Sequence, residues 1–277
     1  MKIAVSFSGG RTSAYMGWWL KYHTDHDLKF IFMNTGCEHE ETLKFLNECD
    51  KRWKLGLIWL EAVVDHSGKG HGHGTKHKVV TFETAARNGE PFEDAIKKYG
   101  LPNQARPYCT REVKLRPHDS YVRDNNLKDY ATAIGIRADE IDRVSEDHKK
   151  YNLIYPLITM NPTTENDIMW WWQQQEFDLG IHQFEGNCTW CWKKSYRKLA
   201  TIAKNDPTHF DFPARMERLY ADAGTANESQ TMFRGQKTAI DVLEMAKDVI
   251  PFNPSPVTQP DMFWDSTGGC SESCELY

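Results

Sequence analysis

The chain has 277 residues, 40% of them hydrophobic, which is enough for a substantial core in one large domain or in one domain with an appendage. With 34 Lys and Arg against 39 Asp and Glu, its formal charge of −5 argues against a protein that coats nucleic acid nonspecifically, although a local basic patch stays compatible with it. No apolar run approaches the roughly 18 residues of a membrane helix, and no internal repeat or low-complexity tract interrupts the pattern.

In chain order, residues 3–7 read as a buried strand and 12–22 as a helix. Residues 29–35 ("KFIFMNT") read as a second strand, 40–54 as a second helix and 57–65 ("LIWLEAVVD") as a third strand. Residues 66–78 are rich in Gly, His and Lys and read as a mobile loop, and 130–136 ("YATAIGI") as a further strand. Beyond "YPLI" at 155–158 the character changes, and 165–175, 193–204, 213–222 and 237–247 read as helices. Strands alternating with helices imply an α/β fold, a parallel sheet with flanking helices. The expected organisation is a nucleotide-binding α/β domain over 1–160 and a mainly helical part over 161–277. The chain opens on a strand-like segment with no leader pattern, so the expected location is the cytoplasm. Thiols stay reduced there, and seven cysteines then point to metal binding or thiol chemistry before disulfides.

The segment "AVSFSGGRTSAY" is a strand, a Gly-containing turn and a helix start, which together form an anion site. Gly9 and Gly10 let the backbone approach a ligand, Ser8, Thr12 and Ser13 supply hydroxyls, and Arg11 supplies charge. Neither G-x-x-x-x-G-K-[ST] nor G-x-G-x-x-G is present. The plainer alternative is an ordinary strand-to-helix turn. "SFSGGRTSA" resembles the SGG-x-[DT]-S pyrophosphate loop of the ATP pyrophosphatase and phosphoadenylyl-sulfate (PAPS) reductase superfamily, with Thr12 where many ATP-cleaving members carry Asp. "FMNTGCEHEET" resembles that family's second-strand motif, and "RPYCTREVKLRP" its R-x-x-C-T-x-x-x-K-x-x-P segment, shared with DNA-phosphorothioation sulfurtransferases. "GIRADEIDR" resembles G-x-R-x-x-E-x-x-R, and "YPLITMNPTTENDIMWW" a P-L-x-x-W-x-x-x-D-V-W segment with Met160 in place of the usual Trp.

The resemblance covers about residues 1–200 and rests on five ordered motifs. It implies an adenine nucleotide alpha-hydrolase-like, Rossmann-like fold that binds an adenine nucleotide, either ATP or a PAPS-like sulfonucleotide, with magnesium compatible. The nucleotide-binding residues it implies are Ser6, Ser8, Gly9, Gly10, Arg11, Thr12, Ser13, Asn34, Thr35, Gly36, Gly135, Arg137 and Arg143. Lys114 joins the arginines on the leaving phosphates. A guanidinium fork suits phosphate and sulfate; the alternative for Arg137 and Arg143 is salt bridging with Asp139, Glu140 and Asp142.

"GNCTWCWKKSYRK" places Cys188 and Cys191 in a C-x-x-C, suited to a metal or a redox couple. The resemblance implies a [4Fe–4S] cluster on Cys109, Cys188 and Cys191, with Cys270 as fourth ligand and zinc as the alternative. The tail "SCELY" faintly resembles the reductase's nucleophile segment, which makes Cys274 a candidate catalytic thiol. Cys49 reads as helix packing, and Cys37 lies at the ligand edge with no role assigned. Lys193, Lys194, Arg197 and Lys198 form one cationic face, read either as a solvated helix face or as a contact for a thiolate cluster or a phosphate backbone. His66, His71, His73 and His77 read as part of the loop rather than as a metal site, and the tryptophans as core.

Three functions follow. The first is a PAPS-reductase-like enzyme using clustered cysteines for sulfur reduction or transfer. The second is an ATP-dependent sulfurtransferase acting on a nucleic-acid or small-molecule acceptor, releasing pyrophosphate. The third is a noncatalytic nucleotide-sensing or nucleic-acid-binding module. The implied partners are the small-molecule nucleotide and a thiol or sulfur-donor protein, with no membrane; net charge does not indicate nucleic acid.

Overall fold

Apolar residues that alternate or run on without a break in short strands call for a sheet covered on both faces, and the chain builds one. The computed structural model describes residues 1–68, 74–222 and 230–252. β1 (Lys2–Ser6), β2 (Asp27–Asn34) and β3 (Ile58–Val64) are joined through α1 (Arg11–His23) and α2 (Glu40–Trp53). β4 (Thr75–Val80) follows, then α3 (Glu90–Tyr99), a π-helical turn (Thr110–Leu115) running into α4 (Arg116–Asp124), and β5 (Ala131–Ala133). β6 (Leu153–Ile154), α5 (Pro156–Thr159), α6 (Glu165–Gln173), α7 (Tyr196–Asn205), α8 (Asp211–Tyr220) and α9 (Ala239–Asp248) complete the order. The six-stranded sheet runs β4-β3-β2-β1-β5-β6.

All neighbours are parallel except β3 and β4, which pair antiparallel from Trp59 opposite Val80 to Val64 opposite Thr75. This corrects the expected loop at 66–78: its distal part is an edge strand. β4 presents exposed Lys76, Lys78 and Val79, which masks the strand pattern in the sequence. α3 and the π-helix with α4 fall where the sequence reading placed no element, and α7 begins at Tyr196 rather than at 193. Among the described residues, no helix is long and apolar enough to cross a membrane.

The pleat sends Ile3, Val5, Phe30 and Phe32 to one face and Ala4, Ile31 and Met33 to the other. The first face takes α1, α2 and α6, where Trp18 meets Trp171 at 4.6 Å and Phe45 meets Trp172 at 5.0 Å. Cys49 packs there, fully buried, as expected. A further cluster joins Ala62 and Phe92 to Trp190, Leu199, Phe210 and Val242, so apolar packing continues across residue 160, where composition changes.

α8 and α9 are tied by Glu217. Its buried carboxylate accepts from the backbone N–H groups of Met232 and Ala239, each at 2.8 Å. Glu217→Ala strands both amides, and denaturant unfolding should show a loss of about 2–4 kcal/mol; an unchanged midpoint refutes this tie.

Candidate functional site

Winding reverses at β1. β2 and β3 lie to one side of it and β5 and β6 to the other, which makes the carboxyl ends of β1 and β5 a topological switch point, the place where open α/β sheets bind ligands. The first loop holds residues 8–13. Gly9 has φ 86°, and a Cβ there would lie 2.6 Å from Thr42 Cγ2, so the turn must be glycine. Ser13 Oγ donates to the Gly10 carbonyl at 3.0 Å and accepts from Ser8 N–H at 3.2 Å and Ser8 Oγ at 3.0 Å. Gly10 caps α1 with no side-chain hydrogen bond among the described residues, and the first turn carries no acid, so its amides and dipole suit an anion. Ser6 ends β1, buried beneath the loop.

The second loop supplies the facing wall. A Cβ on Gly135 would meet Ser13 Cα at 3.3 Å, so the two backbones nearly touch. Arg137 is 6% exposed and its Nη1 lies 3.4 Å from Thr12 Oγ1. Burial works against its charge, but Asp139 at 3.0 Å, Glu140 at 3.5 Å and Glu165 at 3.6 Å more than offset this. Arg143 pairs with Glu140 as well. Both arginines therefore have the carboxylate partners that the salt-bridge alternative named, while Arg137 also reaches the loop. Arg11 does not point its charge at the loop. Its fork grips Asp178 at 2.6 and 2.7 Å, and Nη1 reaches the Ile181 carbonyl at 3.2 Å.

At the end of β2 the side chains turn inward. Asn34, fully buried, donates to Glu61 at 2.7 Å and to the Ala86 carbonyl at 2.9 Å, and accepts from Gly36 N–H at 3.2 Å. Its polar atoms thus hold the turn. Glu61, also fully buried, takes Ala86 N–H at 2.6 Å and Lys78 at 2.8 Å. Thr35 donates its hydroxyl to Glu38 at 2.7 Å. Gly36, at φ 78°, accepts from Gly89 N–H at 2.8 Å.

The C-x-x-C sits against this turn. Cys188 Sγ is 3.5 Å from Thr35 Oγ1, Glu38 bridges to Cys188, and Thr189 N–H reaches the Cys37 carbonyl at 3.4 Å. Burial, then Cys188 and Glu38, push the Cys37 thiol up, with the Trp190 indole opposing, so Cys37 stays protonated near neutrality. Cys109 packs against the same apolar cluster as Cys188 and Cys191, at the start of the π-helix that carries buried Lys114. No group of three or more His, Cys, Asp or Glu side chains among the described residues is placed to hold a metal ion. Cys270 and Cys274 lie outside the described residues, as do His71 and His73. His66 pairs with Asp94 at 2.8 Å and His77 with Ser120 at 2.9 Å.

Sequence reasoning missed Lys194. Expected on a cationic face, it is 5% exposed, and its ammonium donates to the carbonyls of Gly186, Cys188 and Thr189, each at 3.0 Å. Its neighbours also belong elsewhere. Lys193 lies over Trp192, Arg197 reaches the Ile250 and Pro251 carbonyls, and Lys198 covers Phe252. Nothing local separates Lys194 from these cations. Only the loop folding over it does. Lys194→Met should lower stability by about 2–4 kcal/mol and speed alkylation of Cys188 and Cys191; unchanged thiol reactivity would show that the loop holds its shape without the ammonium.

Comparison with known proteins agrees with this architecture. The profile of the phosphoadenosine phosphosulfate reductase domain matches residues 2–151. An uncharacterized nin-region protein of Escherichia phage lambda is 33% identical, over 99% of this chain and 94% of its own length. An uncharacterized protein of Methanocaldococcus jannaschii is 25% identical over 49% of this chain and 22% of its own length. An uncharacterized 37.8 kDa protein of Escherichia phage 186 is 28% identical over 49% and 47%. A mostly parallel sheet reversing at β1, the family profile over more than half the chain and a relative matched nearly end to end lead to one assignment: the chain belongs to the phosphoadenosine phosphosulfate reductase domain family.

Proposed function

We propose that the chain is an enzyme of sulfur chemistry that holds a sulfonated adenine nucleotide in the crevice between β1 and β5. The observation that carries this reading is the meeting of Gly135 and Arg137 with Ser13 and Thr12. It joins an uncapped helix start to a buried guanidinium across the switch point, with the C-x-x-C on the neighbouring turn. In this reading, amides of residues 8–13 take the nucleotide's phosphates, with Ser6, Ser8, Thr12 and Ser13 shaping the loop. Thr35 and Gly36 form the rim above Asn34. Arg137 and Arg143 take phosphate or sulfate oxygens in exchange for their present carboxylates. Lys114 supports the leaving phosphate.

The chemistry balances with thiols alone. A cysteine thiolate attacks the sulfonate sulfur, an S–S bond forms, the S–O bond breaks, and its electron pair leaves on the nucleotide phosphate. A second thiolate attacks the cysteine sulfur of that thiosulfonate, forming a disulfide and expelling sulfite. A dithiol protein then reduces the disulfide. Cys274 is the proposed first nucleophile, and Cys188 and Cys191 are the further thiols. A second reading is favoured by the contact of Cys188 Sγ with Thr35 Oγ1 at the rim. There, ATP adenylates an acceptor and pyrophosphate leaves; the outer sulfur of a Cys188 persulfide, loaded by a sulfur-donor protein, displaces AMP, and the Cys191 thiolate then attacks the Cys188 sulfur, releasing the thiolated acceptor and leaving a disulfide that a dithiol protein reduces.

Full-length protein incubated with PAPS and a dithiol should release sulfite and the nucleoside bisphosphate. Pyrophosphate release from ATP with an acceptor would select the second reading. Nucleotide binding with neither product would leave a noncatalytic module.

Arg137→Lys keeps the charge and loses the fork. Equilibrium binding should then show adenine-nucleotide affinity about ten- to a hundredfold weaker with the melting temperature little changed. Equal affinity would remove Arg137 from the site.

A further inference from the structure

A second cavity lies on the opposite face of the sheet from α1. It has a volume of about 710 Å³ and reaches Ala4 of β1 and Thr132 of β5. Ala4 points to the face that carries Ile31 and Met33, away from the α1 side. One wall is a single stripe of the π-helix and α4: Arg111, Leu115, Arg116, His118, Asp119 and Val122. Spacings of three and four residues put these on one helical face. Lys114, on the same helix, is buried and does not line the cavity.

The charge of the cavity is one-sided. Arg111, Arg116, Lys128 and Lys150 line it, against the single carboxylate of Asp119. Arg111 is paired with Glu112 at 2.8 Å, whereas Arg116 and Lys128 have no carboxylate partner among the described residues. His118 adds an independent observation. It is 2% exposed, and neither ring nitrogen has a hydrogen-bond partner among the described residues. Asp119 Oδ1 lies 3.5 Å from Nδ1 without forming a hydrogen bond. A buried imidazole with both nitrogens unmet is costly and calls for a partner. Tyr130 and Tyr151 also line the cavity and offer ring surface.

We propose that this cavity is a second ligand site, distinct from the crevice, that takes a phosphomonoester with a ring-bearing body. Arg116 and Lys128 meet the phosphate, a His118 N–H donates to it after a small shift of the wall, and the tyrosines flank the body. The volume falls in the range of about 300–1,000 Å³ usual for small-molecule sites.

The test is calorimetric titration of the full chain with uridine 5′-monophosphate, with inorganic phosphate and with single-stranded oligothymidylate. Uridine monophosphate should bind, with inorganic phosphate competing. R116A/K128A changes two exposed side chains, so its fold should survive; it should weaken binding about tenfold or more and leave ATP affinity at the crevice unchanged. His118→Phe should also weaken binding, and His118→Gln, which keeps a donor, should restore much of it. Equal affinity in wild type and R116A/K128A overturns the proposal, as does an absence of binding at millimolar uridine monophosphate. Binding of oligothymidylate alone, steeply weakened by salt, also overturns it and makes the cavity a contact for nucleic-acid backbone.

Discussion

The parallel pairing of β1 with β5 is the constraint from which the site follows. Ile3 opposite Ala131, Ala4 opposite Thr132 and Val5 opposite Ala133 make a short ladder between strands far apart in sequence. Because β2 has already taken the other edge of β1, the two loops that leave the central strands must diverge. The opening between them is therefore a product of connectivity. Its two walls lie close together. Gly135 rests on the backbone of Ser13, and Arg137 reaches Thr12.

The cysteine loop is organised by a different device. A loop rich in carbonyls cannot be buried unless something donates to them, and one ammonium, that of Lys194, serves three. Arg234 in turn donates to the Lys194 carbonyl at 2.8 Å, extending the same logic outward. Farther along, Lys204 and Arg197 donate to carbonyls at 249–251 and Thr201 accepts from Phe252 N–H, so polar groups of α7 hold the chain after α9. The basic residues around the C-x-x-C are thus mostly spent on the protein's own backbone.

Close backbone approach also ties the β2 turn to α8. Gly89 accommodates Phe212, whose ring would lie 2.1 Å from a Cβ at that position, while its own N–H bonds to Gly36. Phe212 stacks on Trp190 at 5.4 Å. One column of contacts therefore runs from the β2 turn through Gly89 and α8 to the C-x-x-C loop.

Legibility in the sequence followed the range of the interaction. β1 to β3, α1 and α2 were readable because strand alternation, helix periodicity and a Gly-Gly turn are local. Gly9 takes the positive φ that glycine favours. β4 was not readable, because an edge strand rich in Lys and His is defined by its partner β3 and not by its own apolarity. The candidate residues 8–13, 135 and 137 were legible as types of residue, and the fold supplied their meeting. The destination of each long charged side chain was not legible. Arg11 finds Asp178, 167 residues away, and Lys194 turns into the core beside cations that stay half-buried. By itself the sequence determined the Gly-Gly turn after β1, the strands' apolar faces and the thiols available, since these depend on neighbours a few residues apart. Only the tertiary structure decided which cations are buried and which partner each one takes, because burial and pairing of a flexible cation depend on which distant carbonyl or carboxylate the fold brings within reach.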